Sequence, residues 1–223
     1  MEKFSWADPS NSFAFPVARP GYPIICAAAF VTLVFALLEL VLPALACLAV
    51  TLFICFFFRD PDRVIPDAPG ALVSPADGRI ILIDRVDDHP FFEGSCLKIS
   101  IFMSLFNVHV NRMPCDGRIT QIRYRPGTFL AANRRRASIG NEQNALFLET
   151  EDKTRIGVVQ IAGFVARRII CKVQQADRVI RGQRFGMICF GSRLDVYAPE
   201  SLRVDVVLGD RVQAGTSILG FLP

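Results

Sequence analysis

The sequence predicts a mainly β domain, a barrel or sandwich with a lipoyl-like element, preceded by an N-terminal membrane helical hairpin. Hydrophobic residues make up 52% of the 223 residues, and they are concentrated before Arg59. Short β-branched or alternating runs follow, separated by Gly, Pro, Asn and Asp, which is typical of strands joined by tight turns. The pattern D-R-V-x-x-G occurs twice near the C-terminus and indicates two similar turns leading into strands.

Two apolar runs, about 22–38 and 40–58, are each close to the roughly 20 residues that cross a bilayer core. Glu39 and Pro43 lie where the turn between two helices would be. Positive residues flank both outer ends, which predicts a hairpin with both ends cytoplasmic. We therefore expect residues 1–63 to anchor the chain in the cell (inner) membrane, with residues 64–223 forming a catalytic β-rich domain on the cytoplasmic side.

Two other roles for the apolar segment are a cleaved signal peptide and a re-entrant hairpin. A cleaved signal peptide fits badly, because the stretch is too long and begins too late in the chain. A re-entrant hairpin that enters the bilayer without spanning it stays open, because the first run is short. The segment is expected to be membrane-bound in either case.

The body of the chain contains seven runs with strand character. They are 79–86, 97–103, 117–124, 145–149, 154–161, 168–173 and 202–207. The two D-R-V-x-x-G copies begin at Asp177 and Asp210, and each ends in a glycine that supplies backbone freedom. Two copies suggest two similar hairpin halves of one barrel-like sandwich.

Composition argues against several kinds of site. The net charge is +4, without a basic stripe interleaved with aromatic residues, so nucleic acid is a poor partner. Seven cysteines occur without C-x-x-C spacing, and His89 and His109 are the two histidines. No metal site is predicted, and the thiols are expected to act as small apolar side chains.

The dipeptide Gly191-Ser192 lies between the two copies of the repeat. Such a pair is usually a turn, but a serine hydroxyl can attack the preceding carbonyl when a base removes its proton. His109 is the better placed histidine, because it follows the apolar strand ending at Met103. Asp77 lies in a Pro-x-Asp-Gly turn, and a carboxylate can orient a histidine as in serine hydrolase triads. Sequence spacing alone does not show that these side chains meet.

Seven motifs together resemble the short form of the phosphatidylserine decarboxylase family. They run along nearly the whole chain: Phe57–Pro61, Ser74–Gly78, Phe106–Arg112, Pro126–Gly127, Asn141–Ala145, Gly163–Ile169 and Arg184–Ser192. Each motif is weak by itself, and their order and joint presence make the resemblance specific.

The resemblance implies a self-processing proenzyme cleaved between Gly191 and Ser192. The products would be a β chain of residues 1–191 and an α chain of residues 192–223, with Ser192 converted to a covalent pyruvoyl group. The mature enzyme would convert phosphatidylserine to phosphatidylethanolamine and CO2 through a Schiff base to that group. Catalytic roles fall to Ser192, His109 and Asp77.

One departure from the family pattern concerns the base. Longer members carry a second histidine three residues after the first, and that position is Arg112 here, which cannot act as a base at ordinary pH. His109 would then serve both maturation and decarboxylation. For the lipid phosphate, the candidates are Arg134, Arg135 and Arg136.

Alternatives from other classes remain at this point. A membrane-tethered serine hydrolase could use Asp77, His109 and Ser192 on an external substrate, and a non-enzymatic lipoyl-like scaffold would need no chemistry at all. A related lipid, such as an archaeal-type phosphoserine ether lipid, is a further substrate option. The sequence leaves the oligomeric state open, a homo-oligomer included.

Overall fold

The computed structural model describes residues 16–87, 92, 94–127, 140–163, 168–189 and 192–223. Within these residues, one compact unit ends at Asp62 and a second begins at Arg63. The first unit is helical and the second consists of β-strands, so the chain is mainly β as predicted.

The N-terminal unit is a helical hairpin. A 3-10 turn, Arg19–Gly21, leads into α1 (Tyr22–Leu37), and α2 (Val41–Phe57) follows after Glu39, which takes a positive φ of 57° in the connection. The hydroxyls of Thr32 and Thr51 are hydrogen-bonded between the helices at 3.1 Å. This pair supplies a polar contact within an otherwise apolar interface.

The outer surface of this hairpin is apolar. No residue of α1 is buried, and side chains such as Phe30 and Leu37 are 66% and 75% exposed. One helix, Arg19–Leu37, is long and apolar enough to cross a membrane, whereas α2 is shorter at 17 residues. Exposed apolar helices of this kind fit a lipid environment better than water.

The second unit contains fourteen strands in its described residues. They are β1 (Ala71–Val73), β2 (Gly78–Val86), β3 (Cys96–Met103), β4 (Val110–Arg112), β5 (Gly117–Arg125), β6 (Gln143–Glu149), β7 (Arg155–Ala162), β8 (Arg168–Cys171), β9 (Arg178–Val179), β10 (Arg184–Cys189), β11 (Ser192–Pro199), β12 (Arg203–Val204), β13 (Arg211–Val212) and β14 (Ile218–Phe221).

Three antiparallel sheets arise from these strands. The largest has eight strands in the order β13-β2-β3-β11-β7-β6-β5-β9, and two sheets of three strands have the orders β1-β14-β12 and β4-β10-β8. The main hydrophobic core takes side chains from all three sheets. Residues alternate between the two faces of a strand, so Leu194 and Val196 of β11 enter this core while Arg193 and Asp195 lie on the other face.

The fold is internally duplicated. The two D-R-V segments become β9 and β13, at the two ends of the large sheet, where β9 pairs with the start of β5 and β13 with the start of β2. Their glycines, Gly182 and Gly215, have φ of 78° and 76°, which favours glycine. The two small sheets correspond in the same way, because β4-β10-β8 repeats the pairing of β1-β14-β12.

A second repeat underlies this duplication. Residues 74–80 (SPADGRI) and 113–119 (MPCDGRI) share five of seven residues and lead into β2 and β5. Each strand has a register shift at the matching place, between Ile80 and Leu82 and between Ile119 and Gln121. β11 and β7 pair with each other where the two halves meet.

Candidate functional site

Ser192 is the first residue of β11, a central strand of the eight-stranded sheet. It pairs with Met103 of β3 on one side and Ala162 of β7 on the other. Its side chain is fully buried, and the hydroxyl donates a hydrogen bond to Met103 Sδ at 3.3 Å. A thioether is a weak acceptor and no base, so the oxygen keeps its proton and its nucleophilic lone pairs.

His109 is also fully buried, and its backbone bonds Ile188 near the end of β10, four residues before Ser192 in the sequence. Ile188 N donates to the His109 carbonyl at 3.3 Å, and the ring Nδ1 lies 2.9 Å from the Asn107 carbonyl oxygen. A carbonyl can only accept, so Nδ1 carries a proton, and in the neutral form of the ring the lone pair is on Nε2. In that form the ring can take a proton at Nε2.

The Asp77 carboxylate bonds one side chain and one backbone N–H. Its Oδ2 accepts from Arg63 NH2 at 2.8 Å and its Oδ1 accepts from Ala214 N at 2.8 Å. The backbone carbonyl of Asn107, and not this carboxylate, bonds the His109 Nδ1. The hydrogen bonds of the described residues therefore join Ser192 to Met103 and leave Asp77 in the turn that holds Ala214.

Arg112, three residues after His109, is buried and points into the repeated turns. Its NH1 donates to the Gly182 carbonyl at 3.0 Å, and a Cβ added at Gly215 would lie 2.9 Å from its Cδ. The Arg112 side chain therefore lies against both D-R-V turns.

The other predicted site residues lie outside the described part of the chain. These are Gly191, Arg134, Arg135 and Arg136.

The opposite face of β11 carries a buried ion cluster. Asp195 accepts from Arg193 Nε at 2.8 Å and from Lys98 Nζ at 2.9 Å, and the three side chains are at most a tenth exposed. Burial disfavours the charged form of Lys98, but the Asp195 carboxylate outweighs it and raises the pKa of the Lys98 ammonium. The Lys98–Asp195 contact joins β11 to β3 three residues after Ser192.

Several polar residues near Ser192 were not foreseen as site residues. Asn111 Nδ2 lies 3.9 Å from Met103 Sδ, and its Oδ1 accepts from Gln160 Nε2 at 2.9 Å. Asn141 donates to the carbonyl of Ala162, the partner of Ser192, at 2.7 Å. The sequence does single out Gln160, because this polar residue interrupts the apolar run of β7 at a position that faces the core.

The cysteines are structural in character. All seven are free thiols, and burial raises the pKa of Cys115 to about 12. A thiol with so high a pKa carries almost no nucleophilic thiolate at neutral pH.

The chain is similar to known proteins along most of its length. The family model for phosphatidylserine decarboxylase matches residues 50–220. A phosphatidylserine decarboxylase proenzyme of Geotalea uraniireducens (strain Rf4) is 49% identical over 93% of this chain and 97% of its own length. The proenzymes of Desulfotalea psychrophila (strain LSv54 / DSM 12343) and Nitrosomonas eutropha (strain DSM 101675 / C91 / Nm57) are each 48% identical, over 92% and 91% of this chain and 96% and 94% of their own lengths. The chain belongs to the phosphatidylserine decarboxylase family.

Proposed function

We propose that this chain is a phosphatidylserine decarboxylase proenzyme that cuts itself between Gly191 and Ser192. The observation that carries the proposal is the setting of Ser192, a buried hydroxyl at the first residue of a central strand, bonded to a weak acceptor. A fully buried nucleophile fits an attack on its own neighbouring peptide bond. It does not fit a serine hydrolase that must admit an external substrate before any change in the chain.

His109 is proposed as the base. Its Nε2 removes the Ser192 hydroxyl proton, the oxygen bonds to the Gly191 carbonyl carbon, and the peptide C–N bond breaks to give an ester. Elimination then removes the Ser192 α-proton and expels the ester oxygen as the Gly191 carboxylate that ends the β chain, and the dehydroalanine formed tautomerises to an imine. Water hydrolyses the imine, which releases ammonia and leaves the pyruvoyl group on the α chain, residues 192–223. Asp77 then contributes by holding the turn at Ala214, in an ion pair with Arg63.

The surroundings of Ser192 fit a pyruvoyl group. The group is uncharged and no larger than serine, and its described neighbours, Met103 and Ala162, are uncharged as well. When formed, it supplies a ketone that binds the substrate amine and withdraws electrons as CO2 leaves. The chain then has to deliver a proton to the substrate carbon, and His109 is the proposed donor.

The membrane is the proposed location of the substrate. The apolar hairpin anchors the protein to the cell (inner) membrane, with the β unit on the cytoplasmic side, and phosphatidylserine enters from the lipid phase. Arg134, Arg135 and Arg136 remain the proposed ligands of its phosphate. The α and β chains stay associated, because β11 to β14 of the α chain are distributed over two of the sheets.

The test is the chain composition and activity of the purified protein. Wild-type protein should separate into fragments of residues 1–191 and 192–223, with the small fragment blocked by a pyruvoyl group in its intact mass. Ser192→Ala should stay in one piece and be inactive on phosphatidylserine vesicles. Decarboxylation by uncut Ser192→Ala protein would overturn the proposal.

His109→Ala tests the base separately. We expect fragment formation to slow by about 100-fold or more, since a positioned general base contributes roughly 10²–10⁴. Cleavage at the wild-type rate in this variant would place the base elsewhere.

A further inference from the structure

A row of buried amide side chains leads from β6 across β7 to Met103. Asn144 Nδ2 donates to Gln160 Oε1 at 3.0 Å, and Gln160 Nε2 donates to Asn111 Oδ1 at 2.9 Å. Asn111 Nδ2 then lies 3.9 Å from Met103 Sδ, the atom that accepts the Ser192 hydroxyl. Asn111 and Gln160 are fully buried and Asn144 is 4% exposed.

The hydrogen bonds of this row all run in one direction. Gln160 and Asn111 each accept at the amide oxygen from the Asn144 side, and all three amides donate from nitrogen towards Met103. Because Gln160 donates to the Asn111 oxygen, the Asn111 N–H groups must face the Met103 and Ser192 end. Buried polar groups that are satisfied in this way stiffen their surroundings.

One glycine provides the space that this row of amide side chains occupies. Gly186 of β10 lies opposite Asn111 in β4. A Cβ added at Gly186 would lie 2.9 Å from Gln160 Nε2 and 2.4 Å from the Ile170 carbonyl oxygen. A larger residue would therefore displace the Gln160 amide, so the packing of β10 is compatible with the row only with glycine here.

We propose that Asn111 is a positioning residue for position 192, held in place by Gln160 and Asn144. It fixes the Met103 sulfur that receives the Ser192 hydroxyl, and it presents a neutral N–H donor beside the reacting serine. The thioether is a weak acceptor, so the Asn111 N–H can leave it readily for an oxygen that becomes negative during cleavage. Donors arranged in advance around such an oxygen lower the barrier. This inference rests on the self-cleavage proposed above.

The test is the first-order rate at which the 192–223 fragment appears in freshly purified full-length protein. Asn111→Asp keeps the shape of the side chain and removes its N–H donors, so we expect cleavage to slow by about 100-fold, as on loss of one oxyanion donor. Gln160→Leu should slow cleavage by about 10-fold through misplacement of Asn111. The double variant should be no slower than Asn111→Asp alone, because Gln160 acts through Asn111.

Ser100→Ala is the matched control. It removes a buried hydroxyl from β3, three residues from Met103 and on the other face, and should cleave at the wild-type rate. The pH at which cleavage is half-maximal should be the same in Gln160→Leu as in wild type, because this substitution neither adds nor removes a titrating group. The thermal unfolding of each variant distinguishes an effect on folding alone from an effect on cleavage.

Three results would overturn the inference. They are wild-type cleavage in Asn111→Asp, losses that multiply in the double variant, and a shifted pH midpoint in Gln160→Leu. Should Asn111→Asp fail to fold, Gln160→Leu and Asn144→Leu carry the same test, and wild-type rates in both would overturn it. Absence of cleavage in the wild type would instead count against the proposed function.

Discussion

The Asp77 and Asp116 carboxylates make the same hydrogen bond in the two halves of the fold. Asp77 Oδ1 accepts from Ala214 N at 2.8 Å, and Asp116 Oδ1 accepts from Arg181 N at 2.8 Å. The two acceptors occupy the same place in the 74–80 and 113–119 repeat. Turn formation therefore accounts for a carboxylate at both positions, and Asp77 differs by its added ion pair with Arg63.

We predict that Asp77→Ala and Asp116→Ala both act through stability. Each leaves a turn N–H without its acceptor, which costs about 1–3 kcal/mol of unfolding free energy when the group is buried. The loss should be larger at Asp77, which is buried, than at Asp116, which is exposed. Urea denaturation of uncut protein, carrying Ser192→Ala, measures both values.

The same pair of substitutions tests the role of Asp77 in cleavage. In the Ser192-containing chain, both variants should form the 192–223 fragment at rates within about 10-fold of each other, because both carboxylates act as acceptors in equivalent turns. If Asp77→Ala abolishes cleavage while Asp116→Ala retains it, the Asp77 carboxylate acts on His109 directly.

At the scale of the strands, β11 is fastened on both faces. Leu194 and Val196 enter the main core, and on the other face Asp195 binds Arg193 and Lys98. Chain ends usually fray unless they are tied down. The ion cluster ties down the strand that would begin at the cleaved bond.

We predict that Asp195→Asn is strongly destabilising. It removes the negative charge that offsets two buried cations, and breaking a buried ion pair costs about 3–5 kcal/mol. The measurement is urea denaturation in the Ser192→Ala background. Asp205→Asn, which affects an exposed pair with Arg203, is the control and should cost less than about 1 kcal/mol. Equal effects of the two substitutions would contradict the stabilising role of the cluster.

The seven strand-like runs predicted from the sequence do not include β11. Each of the seven runs with strand character contains a strand, because β-branched alternation is a local property. β11 alternates as well, but its outer face carries Arg193 and Asp195, which read as solvent-exposed residues. Their burial depends on Lys98, nearly a hundred residues earlier, and no local pattern shows that pairing.

At the scale of the whole molecule, the hairpin and the β unit should be separable in function. Phe30→Arg places a charge near the middle of α1, at a cost of about 2.5–3.5 kcal/mol for insertion. We predict less protein in the membrane fraction and unchanged formation of the 192–223 fragment, because cleavage uses residues of the β unit. Phe30→Leu is the control. Full retention of Phe30→Arg in the membrane fraction would contradict the anchoring role.

The family, the mainly β class and the apolar N-terminal helices are confirmed, since each depends on motifs or periodicity. Only some residues of the candidate site could be predicted from the sequence. Ser192 and His109 stand out as residue types with their own chemistry. Asn111 and Gln160 are linked to Met103, the acceptor of the Ser192 hydroxyl, only by contacts between distant strands. The repeat of residues 74–80 in 113–119 is visible in the sequence. It accounts for the Asp77 carboxylate as a hydrogen-bond acceptor in a turn.

The central position of β11 changes the molecularity of unfolding. The uncut precursor folds as one chain, so its folding equilibrium does not depend on protein concentration. After a cut before Ser192, unfolding would release a 32-residue peptide that supplies an interior strand, and refolding would become a second-order reaction between two chains. The mature protein would then owe its lifetime to slow unfolding, because a dilute unfolded pair seldom meets again.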